Sequence, residues 1–154
     1  MSRVDWGRDM GADVSVRNSS QAAQRAADVL LRSLGGASVL LRLPSSPCIT
    51  DGDQLGLGTG SYADLVLGPA VFRRSRAAMH EGTEGGWELL LSASAVEAQV
   101  STSQLDSAEV LFAQAVSLIV GTKTFLIEAI SASEVFGRVY LYRLLLREAL
   151  PKAQ

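Results

Sequence analysis

Helical and strand-like spacings of apolar residues divide the chain into blocks. Ser19 and Ser20 are good helix N-cap types. In the run QAAQRAADVLLRSLGG that follows, Ala23, Ala27, Leu30, Leu31 and Leu34 recur at helical spacing, with Gln24, Arg25, Asp28 and Arg32 away from them. The spacing predicts a helix over 20–34, stopped by Gly35 or Gly36. ASVLLRLP then alternates, with Val39, Leu41 and Leu43 on one face of a short strand that Pro44 closes. SYADLVLGPAVFRR reads as extended. Leu65 and Leu67 share a face, and the Gly68-Pro69 interruption suits an edge strand.

The segment WELLLSASAVEAQV predicts one long strand, bent near Ala93 to Ala95. Asp106 or Ser107 can cap a second helix over 107–116, SAEVLFAQAV, apolar on nearly every side and so expected to be covered. SLIV, Gly121-Thr122-Lys123 and TFLIEAI make a hairpin. In the closing GRVYLYRLLLREAL, Tyr140, Tyr142, Leu144 and Leu146 alternate with Val139, Leu141, Arg143, Leu145 and Arg147, which predicts a strand covered on both faces. Strands succeed one another without regular helical crossovers. The expected fold class is therefore α+β, a mainly antiparallel β-barrel or sandwich of about five to seven strands with two helices. Residues 1–18 lack a pattern of their own and read as an N-terminal arm on a single domain over 19–154, with Trp6 and the Val14–Val16 stretch as anchors.

Composition sharpens this. Apolar residues are 47% of the 154 and charged residues only 19%, against about 25% charged in ordinary domains. Surplus apolar surface has to be buried in a complete core or against other chains. No apolar run is long enough to span a bilayer, and 1–18 has no continuous apolar segment of the secretory kind, so no membrane is expected. The lone Cys48 rules out an internal disulfide framework and suits a cytoplasm. The formal charge of −2 argues against a broad footprint for nucleic acid.

The stretch DGDQLGLGTG over 51–60 looks most like a site. A dinucleotide fingerprint needs a helix after its glycines. Gly56, Gly58 and Gly60 alternate, but Ser61 stands at the next position and strand-like SYADLVLGP follows. A calcium loop from Asp51 places Asp53 and Gly56 well, yet Leu55 has no ligand oxygen and Tyr62 stands where a bidentate glutamate is required. The stretch is read as a glycine-rich contact loop. His80 has no second histidine, Cys48 has no CxxC partner, and no GxSxG elbow occurs. No catalytic residue, metal or cofactor is expected. Among the arginines, Arg73, Arg74 and Arg76 follow a strand as edge charges do. Arg143, between Leu141 and Leu145, needs a carboxylate partner in its own chain or another.

The strand VLLRLP, the loop and strand LGLGTGSYADLVLGPAVFRR, WELLLSASAV, SAEVLFAQAV leading into SLIVGTKTFLIEAI, and the terminal GRVYLYRLLL together span 37–146. In order and style this pattern resembles small neck or tail-joining proteins of tailed bacteriophages, of the head-closure (stopper) or tail-terminator type. The resemblance implies a structural protein of the virion, made in a bacterial cytoplasm. It also implies a β-barrel or sandwich core with one or two helices, and a ring of six or twelve copies around the DNA channel between portal or adaptor and tail-tube proteins. DNA would only pass through, and no cofactor is implied. The N-terminal helix running into a strand is similar to tail terminators; the loop and last strand look more like head-closure proteins. Contact segments are expected at 1–18, 44–61 and 73–86, with Trp6, Asp51, Asp53, Gly56, Gly58, Gly60, Tyr62, Arg73, Arg74 and Arg143 as candidate interface residues. The alternatives are a small soluble bacterial binding or adaptor domain, monomeric or dimeric, and an enzyme built on the 51–60 loop.

Overall fold

The structure, a computed structural model, describes residues 9–45, 61–75 and 86–150. Three helices and six strands follow in the order α1 (Asp9–Ser33), β1 (Ala37–Pro44), β2 (Tyr62–Arg74), β3 (Trp87–Ser92), α2 (Ala93–Thr102), α3 (Ala108–Gln114), β4 (Ser117–Val120), β5 (Lys123–Val135) and β6 (Arg138–Glu148). The strands close into an antiparallel barrel in the order β1-β2-β3-β6-β5-β4, with β4 returning to β1. The chain is thus α+β with a closed six-stranded barrel.

Period-2 alternation fills the barrel. Val39 and Leu41, Leu67 and Ala70, Leu89 and Leu91, Leu118, Phe125, and Tyr142, Leu144 and Leu146 point inward and are buried. At one end α2 and α3 plug the interior with Ala93, Val96, Leu111 and Phe112, the last meeting Tyr142 edge-on at 5.6 Å. At the other end Phe72 stacks on Trp87 at 4.7 Å, and both lean on Phe125.

Several elements differ from the sequence reading. The helix expected over 20–34 begins at Asp9, so the second half of the segment read as an arm is helical. Its buried residues are Ser20, Gln24, Ala27 and Leu31, while Leu30 and Leu34 are exposed. Leu31 lies on the side that faces the barrel, and Leu30, one position away, is turned from it. Val14 and Val16 are exposed and anchor nothing. Gly35, at φ 91°, ends the helix in the left-handed conformation glycine tolerates, and its N–H bonds Arg32 O at 3.2 Å.

The long strand expected over 87–100 stops at Ser92. There the Ser92 hydroxyl accepts from Ala95 N and turns the chain into α2. Pro69 is not on an edge strand. β2 changes partners there, from Leu67↔Val39 to Ala70, which pairs with both Ala37 and Leu91, and a register shift between Ala37 and Val39 absorbs the missing donor. The second face of β6 is only partly covered. Val139, Leu141 and Leu145 are half-buried, and Arg143 and Arg147 are exposed. The second helix is shorter than expected, 108–114, with Ser107 as its N-cap.

Candidate functional site

Beside Ser92, α1 crosses the outside of β3 and β6 through a polar seam. Both carboxylate oxygens of Asp28 accept hydroxyls, Oδ1 from Ser92 and Oδ2 from Ser94 at 2.7 Å. One helical turn earlier, Gln24 Nε2 donates to Val139 O at 2.9 Å and to Glu97 Oε1 at 3.0 Å. Arg138 reaches the other Glu97 oxygen at 3.5 Å. A shallow opening of about 300 Å³ lies over this seam, lined by Gln21, Gln24, Arg25, Asp28, Ser94 and Arg138. Its carboxylates are already engaged, so the seam fixes α1 on the barrel. Buried polar groups that find partners in this way define one orientation for the helix.

A second cluster stands on the outer wall of the barrel. Glu88 lies between two arginines from flanking strands. Arg73 Nε donates to Oε2 at 2.7 Å, and Arg143 Nε pairs with Oε1. The Glu88 side chain is 3% exposed, while Arg73 and Arg143 are 56% and 47% exposed. The arginine stems cover the carboxylate and their heads stay wet. Arg143 therefore pairs within its own chain.

Arg74 lies over the Trp87 ring, 4.9 Å from its centroid, with Lys123 at 6.0 Å. Tyr62 is 55% exposed and lies under Arg42 at 5.8 Å. Arg42 in turn grips Asp64 with two hydrogen bonds, 2.8 and 2.9 Å. Those bonds hold the Asp64 carboxyl below the usual carboxylate range and raise Arg42, against the opposing pull of desolvation on each.

Of the candidate interface residues, Trp6, Asp51, Asp53, Gly56, Gly58 and Gly60 lie outside the described residues. Arg73 and Arg143 come together on Glu88; Arg74 and Tyr62 serve separate cation–aromatic contacts at opposite ends of β2. Sequence reasoning missed Glu88 and Phe136. The signal for Glu88 was a lone carboxylate inside WELLLS, with arginine-bearing strands elsewhere in the chain. Phe136 is half of a two-residue turn with Gly137. The turn has positive φ at both positions, 50° and 73°, where Asn-Gly is usual. The phenylalanine is 64% exposed.

Exposed apolar side chains cluster in sequence near the end of α1. Val29 and Leu30 on the outer side of α1, and Leu34 just past its end, are 65%, 61% and 66% exposed. Single exposed leucines are ordinary, whereas three large apolar side chains within six residues are more than a solvated helix face usually shows. Among the described residues, no group of three or more His, Cys, Asp or Glu is placed to hold a metal ion, and no helix is long and apolar enough to cross a membrane. No family model, no curated protein and no solved structure matches the chain.

Proposed function

We propose that this protein is a structural subunit of a phage-like virion. Copies of it form a ring of six or twelve at the neck or tail junction around the DNA channel. The observation that carries the reading is the outer face of α1. Val29 and Leu30, with Leu34 just past the helix end, stand in solvent on a helix whose other side is fastened to the barrel by Asp28 and Gln24. A helix held in one orientation while presenting leucines outward suits a rigid contact with a neighbour. The closed barrel with helices on its surface fits the architecture that the sequence pattern implies for such subunits. The charge of −2 suits a wall past which DNA slides, since many phosphate contacts would hold it back.

In this reading the protein is made in the host cytoplasm, resides in the virion, needs no cofactor and performs no catalytic step. Its neighbours are portal or adaptor and tail-tube proteins. Native mass spectrometry of the purified protein at several concentrations tests it. A hexamer, a dodecamer or a concentration-dependent ladder towards them is expected. A discrete dimer at every concentration would overturn the ring and favour a small dimeric adaptor.

A further inference from the structure

Among the described residues, the connected hydrophobic core draws on all six strands and on α2 and α3, but on no residue of α1. Ala27 and Leu31, the apolar side chains that α1 buries, stand outside it. The barrel is filled by its own strands and plugged by Val96, Leu111 and Phe112, without help from α1. α1 therefore lies on a body that is already complete.

What holds it there is largely polar. Over 14–33 its buried side chains are Ser20, Gln24, Ala27 and Leu31. The Ser20 hydroxyl donates to Arg17 O at 2.9 Å, within the helix. Asp28 and Gln24 supply the bonds to the body beneath, at Ser92, Ser94, Val139 O and Glu97. Water replaces such bonds at small net loss once both partners are free to meet it. The apolar surface that opposes separation is mainly that of Ala27 and Leu31. The seam thus fixes where α1 docks more than how firmly.

The link to the barrel suits movement. The chain passes from α1 into β1 through Gly35 and Gly36. Gly35 has φ 91°, and a side chain there would meet nothing within 4 Å. At Gly36 a methyl group would lie 2.8 Å from Leu31 O and 3.0 Å from Pro69 Cβ, so the docked form needs the glycine. We propose that α1 is a strap that leaves the barrel as a unit, turning at Gly35-Gly36 while the six strands stay closed. Release bares the Ser92 and Ser94 hydroxyls and the Val139 carbonyl. It also frees Val29 and Leu30 from the orientation that docking gives them. A partner that binds either surface selects one of two forms. This goes beyond the ring reading above and does not rest on it.

Thiol labelling tests the strap in the full chain carrying Cys48→Ser, which removes the sole native cysteine. Ala27→Cys, under α1, and Ala70→Cys, in the barrel, are each added singly; the native alanines are 8% and 1% exposed. Each protein is treated with an aromatic disulfide reagent at urea concentrations below the unfolding transition. Ala27→Cys is expected to react at least tenfold faster than Ala70→Cys. Its urea dependence should be shallower than that of Ala70→Cys but not zero, as for a partial opening. Gly36→Ala and Gln24→Ala should each speed the reaction of Ala27→Cys at least threefold and leave Ala70→Cys unchanged. Equal rates and equal urea dependence at the two cysteines would mean that α1 opens only with the whole fold, and would overturn the proposal. So would a reaction of Ala27→Cys that ignores urea, the mark of direct access without release. Variants that speed both cysteines alike, or neither, overturn it as well.

Discussion

Glu88 of β3 and Arg143 of β6 form an ion pair although neither faces the other across the ladder. Glu88 is opposite Leu145, and Arg143 is opposite Leu90. The pair is diagonal, two residues apart in register, a reach open to long side chains on one sheet face. Arg73, directly opposite Glu88 on β2, completes a bridge over three adjacent strands. Removing the carboxylate leaves two guanidinium groups side by side. Glu88→Ala is expected to cost about 2 kcal/mol, below the usual penalty for breaking a buried pair because both arginines are half exposed. Arg143→Ala should cost about half as much, and the double variant less than the sum. Urea denaturation of the three proteins measures this; strict additivity would refute the coupling.

Inside and outside positions of similar hydrophobicity should separate cleanly. Phe125 is fully buried among Phe72 and Trp87, and Phe125→Ala is expected to cost about 3–5 kcal/mol. Leu30→Ala with Leu34→Ala should change the stability of the monomer by less than about 1 kcal/mol. The same double change should abolish the higher oligomers. Thermal unfolding and native mass spectrometry on one set of samples read both effects.

Helix starts carry a measurable share of stability. Ser107 caps α3 by accepting from Val110 N, and Ser107→Ala should cost about 1 kcal/mol, with Ser107→Asp retaining most of it. Ser92→Ala should cost more, since this fully buried hydroxyl also donates to Asp28. Equal losses at the two sites, by denaturant midpoint, would mean that the Asp28 contact contributes nothing.

Among the described residues, Glu109, Asp64 and Tyr142 contribute to the response to pH. The hydroxyl of Ser107, then backbone donation, holds Glu109 below 4.5, and Arg42 holds Asp64 below 3.8. Both carboxyls bind protons more readily in the unfolded chain, so their contribution is present above those values and fades as pH falls through the lower folded values. Burial, followed by the charges of Glu109, Glu97 and Glu134, raises Tyr142 above 10.0. Its contribution is complete below pH 10 and is lost as pH rises through the folded value. Chemical denaturation across pH should therefore show losses at both extremes. Tyr142→Phe should reduce the alkaline loss and leave the acid one.

What could be read in the sequence was whatever local pattern decides. The alternation of Val39 with Leu41, and of Tyr142 with Leu144 and Leu146, places them inward in a strand, and a run of such strands without crossovers implies an antiparallel barrel. Residues 93–100 were misread because Ala, Ser and Val suit either state, and one hydroxyl, that of Ser92, tips the balance at the strand end. Leu30 was assigned inward because helical spacing alone allows several adjacent apolar stripes; the choice was made by contacts of Asp28 and Gln24 with residues far along the chain. The Glu88 cluster joins three strands distant in sequence, so no spacing announces it. Arg143 did signal its need for a carboxylate, but not where one would be found.

The barrel closes through β4, which contributes only four residues. Three pairs join it to β1 and three to β5. Every other neighbouring pair of strands has at least five partners. A cylinder with one short seam has a preferred place to come undone. Transient excursions should part β4 from β1 and leave a curled, open six-stranded sheet, well before the core of β3 and β6 loosens. Amide exchange under native conditions should then report Ser117, Leu118 and Ile119 as the fastest strand positions in the wall, and Leu89, Leu91 and Leu144 as the slowest.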